Sequence, residues 1–377
     1  MLNNKILHII SFDIPFPANY GGVIDVFYKI KYLHAQSIKI HLHCFEYGRS
    51  HAKELNQYCE SVTYYPRETS LWSHLGFWPH IVKSRLSENL ITNLIKDNNP
   101  IIFEGMHTLG MGLDKRLEHR IKIYRESNIE HQYYYYLYKA EKNLLKKLFF
   151  RIESQKLKLF EKHINKFDKT LVVSKSDKEE LLHRYPKQNI YYLPSFHPDN
   201  KVNCKTGKGK YALYIGNLSV AENILAVEFL IKKVFSKIEY PFIIAGLNPS
   251  ESLIKLVSTY KNISLKPNQT TNEMNNLVEN AQFNVLLTFQ ATGLKLKLLS
   301  SLFQGRFLIV NDKMTKGTGL NKLCITANTP EEIINKIQST KDLDFNTGSI
   351  LGREKLLNQN YNNTSNIKKL IELVFEQ

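Results

Sequence analysis

Short apolar runs alternate with helix-spaced segments along this chain, many of them meeting at a glycine, and the alternation is played through twice. "KILHIISF" (5–12) is bounded by turn residues and reads as a buried parallel strand. "PANYGGVIDVFYKIKYLHAQ" follows, with Gly21-Gly22 opening a segment of helix-spaced apolar residues, and "KIHLHCF" (39–45) returns as a strand. Strand, glycine turn, helix and strand make a βαβ unit. Further strands are expected at 61–65, 101–105, 121–126 and 169–174, and the longest helical stretch runs from about Tyr136 to Asn165.

The pattern then restarts. "KYALYIGN" (210–217) is a strand meeting a glycine, 222–235 a helix and "PFIIAG" (241–246) a strand ending in glycine. Strands at 262–267, 283–289 and 306–312 enclose a helix over 271–281 and another after Gly293. A chain of 377 residues also suits two domains at roughly 100–200 residues each. The expectation is α/β: two doubly wound, Rossmann-like domains, 1–195 and 205–355, with 356–377 a helical end packing back on the first. The Pro-, Asn-, Gly- and Lys-rich stretch 193–209 is the linker. Ligands of open α/β sheets bind at the carboxyl ends of the strands, so each domain is read as one wall of a central cleft.

Charge narrows the partners. Lys+Arg 51 against Asp+Glu 35 gives a formal net charge of +16, which favours nucleic acid, an acidic membrane face or phosphorylated small molecules. No zinc-finger spacing, aromatic RNA-binding signature or basic region with heptads is present, so nucleic acid is not expected. Cys44, Cys59, Cys204 and Cys324 form no C-x-x-C pair, which fits a reducing compartment and no zinc site. The first apolar run is too short for a signal peptide, and no stretch approaches the roughly 20 apolar residues of a membrane span. The expected location is cytoplasmic, or peripheral at the inner face of the plasma membrane.

On the C-terminal wall, Gly216 lets backbone amides approach a ligand and Asn217 follows it. In "FNVLLTFQATGLKLKLLSSLFQG", Gly293 permits a tight loop, and Lys295, Lys297 and a helix N-terminus supply positive charge fit for a diphosphate. The competing readings are a plain turn and two solvated lysines.

That loop resembles the "G-T-G-x-K-x-K-x-L-E-A" stretch in the donor-binding domain of family 4 glycosyltransferases of GT-B fold, and "YALYIGNLSVAENILAVEFLIKKVF" resembles the "G-x-L-x-x-x-x-N" region opening it. The resemblance covers nearly the whole chain and rests on motif order and spacing. It implies that a sugar nucleotide's diphosphate is gripped by basic residues. Here Asn217 and Glu222 stand at two of those basic positions, leaving Lys295 and Lys297 to carry the grip. Ser300 stands where the family's ribose-binding glutamate falls, and a hydroxyl makes one hydrogen bond where a carboxylate makes a bidentate pair.

On the N-terminal wall, the resemblance implies that the amides of Gly21 and Gly22 lie by the donor phosphates and the acceptor. "YRESNIEHQYYYY" is similar to the "R-x-H-N-x-E-H-x-Y-Y" stretch of a bacterial branch, with Arg125, Asn128, Glu130 and His131 matching and Ser127 replacing a histidine. Arg125 and Asn128 are accordingly acceptor-side residues, and Glu130 and His131 polar candidates near the reacting centre. Helix capping or packing is the alternative for the last two. Glu104 and His107 in "FEGMHTLG" follow a strand and are placed on the same wall, His107 as a catalytic candidate.

The chemistry implied is transfer of a sugar from a nucleotide-sugar donor to a saccharide or lipid-linked acceptor of bacterial surface polysaccharide, with retention and without metal or other cofactor. The one D-x-D match, Asp342-Leu343-Asp344, reads as a solvated loop. Aromatic and basic residues at 70–86 and the basic helix 142–166 make an anionic membrane surface one candidate partner, the competing reading being a packed helix with a solvated lysine face. The alternatives are a sugar-nucleotide 2-epimerase of the same fold and a GT-B-shaped binding protein that has lost donor binding.

Overall fold

A computed structural model describes residues 5–70, 76–141, 143–289, 293 and 296–376. These divide into two compact units: the first holds 5–198, Gly293 and 361–376, the second 199–289 and 296–360.

The first unit is built on a seven-stranded, all-parallel sheet. Its strands are β1 (Ile6–Ser11), β2 (Lys39–Phe45), β3 (Ser61–Tyr65), β4 (Ile101–Glu104), β5 (Lys122–Glu126), β6 (Lys169–Val172) and β7 (Ile190–Tyr192), in the spatial order β3-β2-β1-β4-β5-β6-β7. Both faces are buried, and the side chains sort by the period of two that a strand imposes. Leu7, Ile9, Ile102, Ile123 and Leu171 enter one core with Val26, Ile30 and Leu33 of the helix Gly21–Ala35. Ile10, Ile101, Phe103, Tyr124 and Val172 enter the core on the other face. The helix Asn363–Phe375 closes the first of these with Ile367, Leu370, Ile371 and Val374, so the end of the chain completes a core begun at Leu7.

The second unit repeats the plan with six parallel strands: β8 (Ala212–Ile215), β9 (Phe242–Gly246), β10 (Ile263–Pro267), β11 (Phe283–Leu286), β12 (Phe307–Val310) and β13 (Ile325–Thr326), ordered β10-β9-β8-β11-β12-β13. In each unit the order reverses beside the first strand, at β1/β4 and at β8/β11. Those are the switch points where doubly wound sheets open a crevice at their carboxyl ends.

Two local differences from the sequence expectation have simple causes. The stretch read as one long helix is two, Glu130–Ala140 and Leu144–Phe160, because Glu141 is extended and the Asn143 side chain caps the second through Lys146 N. The helix expected at 222–235 runs Ala221–Leu230 and widens into a π turn over Ile231–Phe235.

Candidate functional site

In the second unit, β8 runs through Tyr214 to Gly216 and Asn217, and the helix Ala221–Leu230 follows without a side-chain cap. Gly216 is closely surrounded, and a Cβ there would lie 3.1 Å from Asn223 Cγ, so that side chain would have to give. Asn217 is turned into its own loop, its Oδ1 accepting from Ser219 N at 3.0 Å and from Ser219 Oγ at 2.7 Å. Asn223 ties down the same loop through its Nδ2, which donates to Asn217 O at 2.9 Å. Its Oδ1 accepts from Tyr214 OH at 3.0 Å and from Lys297 Nζ at 3.1 Å. Lys297 also reaches Tyr214 OH at 3.3 Å and lies 5.0 Å from the centre of that ring.

Lys297 and Ser300 belong to the helix Leu296–Gln304 and are three residues apart, so both half-buried side chains sit on one face. Glu222 is bound to Thr288, just past β11, by a short hydrogen bond from the Thr288 hydroxyl. Thr288 is in turn held by Asn311, whose Nδ2 donates to Thr288 O at 2.7 Å. The Glu222 carboxylate therefore ties the helix after β8 to β11 and β12. Lys295 lies outside the described residues.

In the first unit, Phe12 and Asp13 follow β1, and the loop to the next helix passes a cis Phe16–Pro17 bond. Asp13 accepts from Ile14 N at 2.8 Å and from Tyr20 OH at 2.6 Å; burial pushes its carboxyl up, against the lowering effect of Tyr20. Gly21 starts the helix and has open space where a Cβ would point, whereas at Gly22 a Cβ would fall 2.5 Å from Phe12 Cζ.

Arg85 stands at the middle of this edge, its Nε donating to Phe12 O at 2.9 Å and its Nη1 to Ile81 O at 2.8 Å. Burial, then the charge of Arg67, brings its guanidinium down to about 9. The Arg67 and Arg85 guanidiniums lie 4.2 Å and 5.8 Å from the ring centre of Tyr47, which is exposed. His107 follows β4, with its ring stacked on Phe12 at 5.2 Å. Gly105 at φ +70° admits it, because a Cβ on Gly105 would sit 3.0 Å from His107 Nδ1. That Nδ1 is buried without a partner among the described residues, and burial together with Arg85 and Arg67 drives the ring well below its usual value.

Glu130 opens the helix after β5. It is 4 % exposed, and burial raises its carboxyl to about 7 against the opposing charge of Arg85. The structure thus brings Glu130, His107 and Asp13 into the field of one arginine that the sequence did not single out.

The other first-unit candidates are placed differently. His131, one residue along the helix and so turned about 100° from Glu130, pairs through Nδ1 with Glu161 at 3.0 Å. Arg125 is 1 % exposed and donates from Nε and Nη2 to Asp25, at 3.1 and 3.3 Å, and to the carbonyls of Leu193 and Pro194. Glu104 takes a 2.5 Å hydrogen bond from Lys29, which also reaches Asp25 at 3.3 Å. Arg125 and Glu104 therefore lie in one buried ion network that anchors the first helix to β4 and β5. Asn128 is half-buried after β5, and Gly293, at φ +66°, leaves room for it: a Cβ there would meet Asn128 Oδ1 at 2.1 Å. Asp342 and Asp344 lie on an exposed turn.

Comparison with known proteins agrees with this architecture. No protein-family model matches the chain. It is 26% identical over 403 residues, 98% of each chain, to an uncharacterized 44.6 kDa protein in the cps region of Klebsiella pneumoniae. Among solved structures it is similar to a TarM variant of S. aureus in complex with fondaparinux, α-GlcNAc-glycerol and UDP (TM-score 0.69, 11% identity, 99% of this chain and 100% of that one). It is similar also to Anabaena HepE in complex with UDP and glucose (TM-score 0.68, 9% identity, 98% and 100%). A third is the lipopolysaccharide outer core galactosyltransferase WaaB (TM-score 0.64, 14% identity, 97% and 99%). The chain has the GT-B fold.

Proposed function

We propose that the protein is a retaining, metal-independent glycosyltransferase that moves a sugar from a nucleotide-sugar donor to a saccharide or lipid-linked acceptor in bacterial surface polysaccharide synthesis. The observation that carries this reading is the Lys297–Asn223–Tyr214 cluster at the β8/β11 switch point of a GT-B second unit. It presents an ammonium, beside the start of the helix after β8, to the place where a doubly wound sheet receives a phosphate. Support comes also from GT-B structures solved with UDP and from the cps-region relative.

In this reading the departing diphosphate is stabilised by Lys297, by Lys295 and by helix-terminal amides. Ser300, one turn beyond Lys297, offers a single hydrogen bond to the ribose. The first unit takes the acceptor. Arg67 and Arg85 suit an acceptor bearing negative charge, and Glu130, near half-ionised at neutral pH, is the group suited to hold a proton of the acceptor hydroxyl.

The test is a panel of UDP-, GDP- and dTDP-sugars, scored for binding and for release of nucleoside diphosphate, with Lys295→Ala and Lys297→Ala beside the native chain. Release lost in these variants is the expected result. Absence of binding to every member overturns the reading in favour of a binding protein, and inversion at C2 of the sugar without transfer overturns it in favour of an epimerase.

A further inference from the structure

The helix Leu144–Phe160 turns a row of large apolar side chains to solvent. Leu144 is 81% exposed, Leu145 80%, Leu148 55%, Ile152 46% and Leu159 71%. Its opposite face holds Glu153, Ser154, Leu157 and Phe160, all buried, so the exposed row is not the face that packs on the fold. At the helical period these five residues share a stripe about 100° wide, as broad as the core-facing stripe of an ordinary surface helix.

Cations line one shoulder of the stripe, Arg151, Lys158 and Lys147, while Lys156 on the other is turned in to Glu153 at 3.0 Å. Between 143 and 166 the acids are Glu153 and Glu161, and both are buried, Glu153 accepting from His80 N and Glu161 from Arg184. The solvent side is therefore apolar and cationic with no exposed carboxylate. Phe77, 97% exposed, extends it: its neighbours Trp78 and His80 lie against Phe160 and Phe149 of the same helix, with ring centres 5.2 and 6.4 Å apart. None of the described helices is long and apolar enough to cross a membrane.

We propose that this face is a membrane-docking surface, on which the helix lies in the plane of an anionic phospholipid bilayer with Leu144, Leu145, Leu148, Ile152 and Leu159 among the acyl chains and Arg151 and Lys158 at the headgroup phosphates. An interfacial helix needs a polar face, an apolar face and basic flanks. The charge pattern selects lipid over a second copy of this chain, because copies packed through the row would set cations against cations with no exposed acid to pair them. The proposal stands on the exposed face and is independent of the transferase reading.

The experiment is co-sedimentation of the full chain with vesicles of phosphatidylglycerol and phosphatidylcholine, against vesicles of phosphatidylcholine alone. The native chain is expected to pellet with the anionic vesicles and to be released by salt. The combined variant Leu144→Gln, Leu145→Gln, Leu148→Gln is expected to bind about tenfold less, and Arg151→Glu with Lys158→Glu similarly. Leu351→Gln, which removes an exposed leucine (61%) from the second unit, is expected to bind as the native chain does. Thermal unfolding checks each fold, and should the leucine variant unfold, the charge variant decides. Equal binding to both vesicle types overturns the proposal, as does undiminished binding by the variants. A native dimer that the leucine substitutions convert to monomer, read by light scattering, overturns it in favour of a second copy.

Discussion

Lys297 Nζ lies 3.1 Å from Asn223 Oδ1, and the same asparagine fastens the loop after β8 through its Nδ2 on Asn217 O. One side chain thus fixes both the loop that would wrap a phosphate and the ammonium that would neutralise it. Replacing Lys297 by Ala removes the charge and leaves the loop tied, so nucleoside-diphosphate affinity should fall about 10- to 100-fold, the worth of one charge-assisted hydrogen bond. Titration calorimetry with UDP and GDP measures it, and thermal unfolding should change little because Lys297 is half-buried.

Glu222 sets a negative charge beside the same site while accepting from Thr288. Glu222→Gln keeps an acceptor for that hydroxyl and removes the charge. Diphosphate binding should tighten, by about 3- to 10-fold at low ionic strength and by less in high salt, where screening shortens the reach of the carboxylate. The dissociation constant measured at two salt concentrations reads both effects; an unchanged value would place the phosphates away from this helix start.

The frame of the molecule was legible because a buried parallel strand is a short apolar run and a doubly wound turn so often needs glycine. Eleven strands fall within or next to runs visible in the sequence, while Ile190–Tyr192 and Ile325–Thr326, of three and two residues, carry too little periodicity to register. Side-chain direction was less legible. Glu130 and His131 are neighbours in sequence, yet the turn of the helix sends one toward Arg85 and the other to Glu161. Arg85 joins Phe12 across 73 residues, a relation no local pattern encodes. Arg125 matches a family motif, but its partner Asp25 lies 100 residues away, so its burial in an ion network could not be read from the motif.

That network makes its own prediction. Asp25 accepts from Arg125, from Lys29 and from Phe196 N at 2.7 Å, so Asp25→Ala would strip the buried Arg125 of its carboxylate partner while Lys29 keeps Glu104. Removing one partner of a buried pair costs about 3–5 kcal/mol. A urea-denaturation midpoint should fall accordingly in Asp25→Ala, and a shift below 1 kcal/mol, roughly the worth of an exposed pair, would contradict the burial.

At the end of β9, a Cβ on Gly246 would lie 1.8 Å from Gly216 O. Backbone blocks backbone there, so no rotamer relieves the clash, and Gly246→Ala must push the turn after β8 out of place. A cost of about 2–4 kcal/mol is expected, with weakened nucleotide binding because Gly216 and Asn217 move with it. Gly352→Ala is the control: a Cβ there meets nothing within 4 Å and the position is helical, so its midpoint should hold or rise.

Glu130 ties stability to pH in a direction opposite to most carboxylates. Its folded value, about 7, lies above the ordinary 4.5, so between those values the folded chain holds a proton that the unfolded chain has released. Stability from this group is full below about pH 4.5 and is lost as pH rises through about 7, by about 3 kcal/mol. Glu130→Gln keeps the neutral shape at every pH. It should therefore match the native chain near pH 4.5 and exceed it at pH 8 by about 2–3 kcal/mol in urea denaturation. If Glu130 also holds the acceptor's proton, the same variant should lose transferase activity while gaining stability, a pairing that a purely structural glutamate would not give. Equal stability of the two proteins at pH 8 would mean that the carboxylate is already solvated.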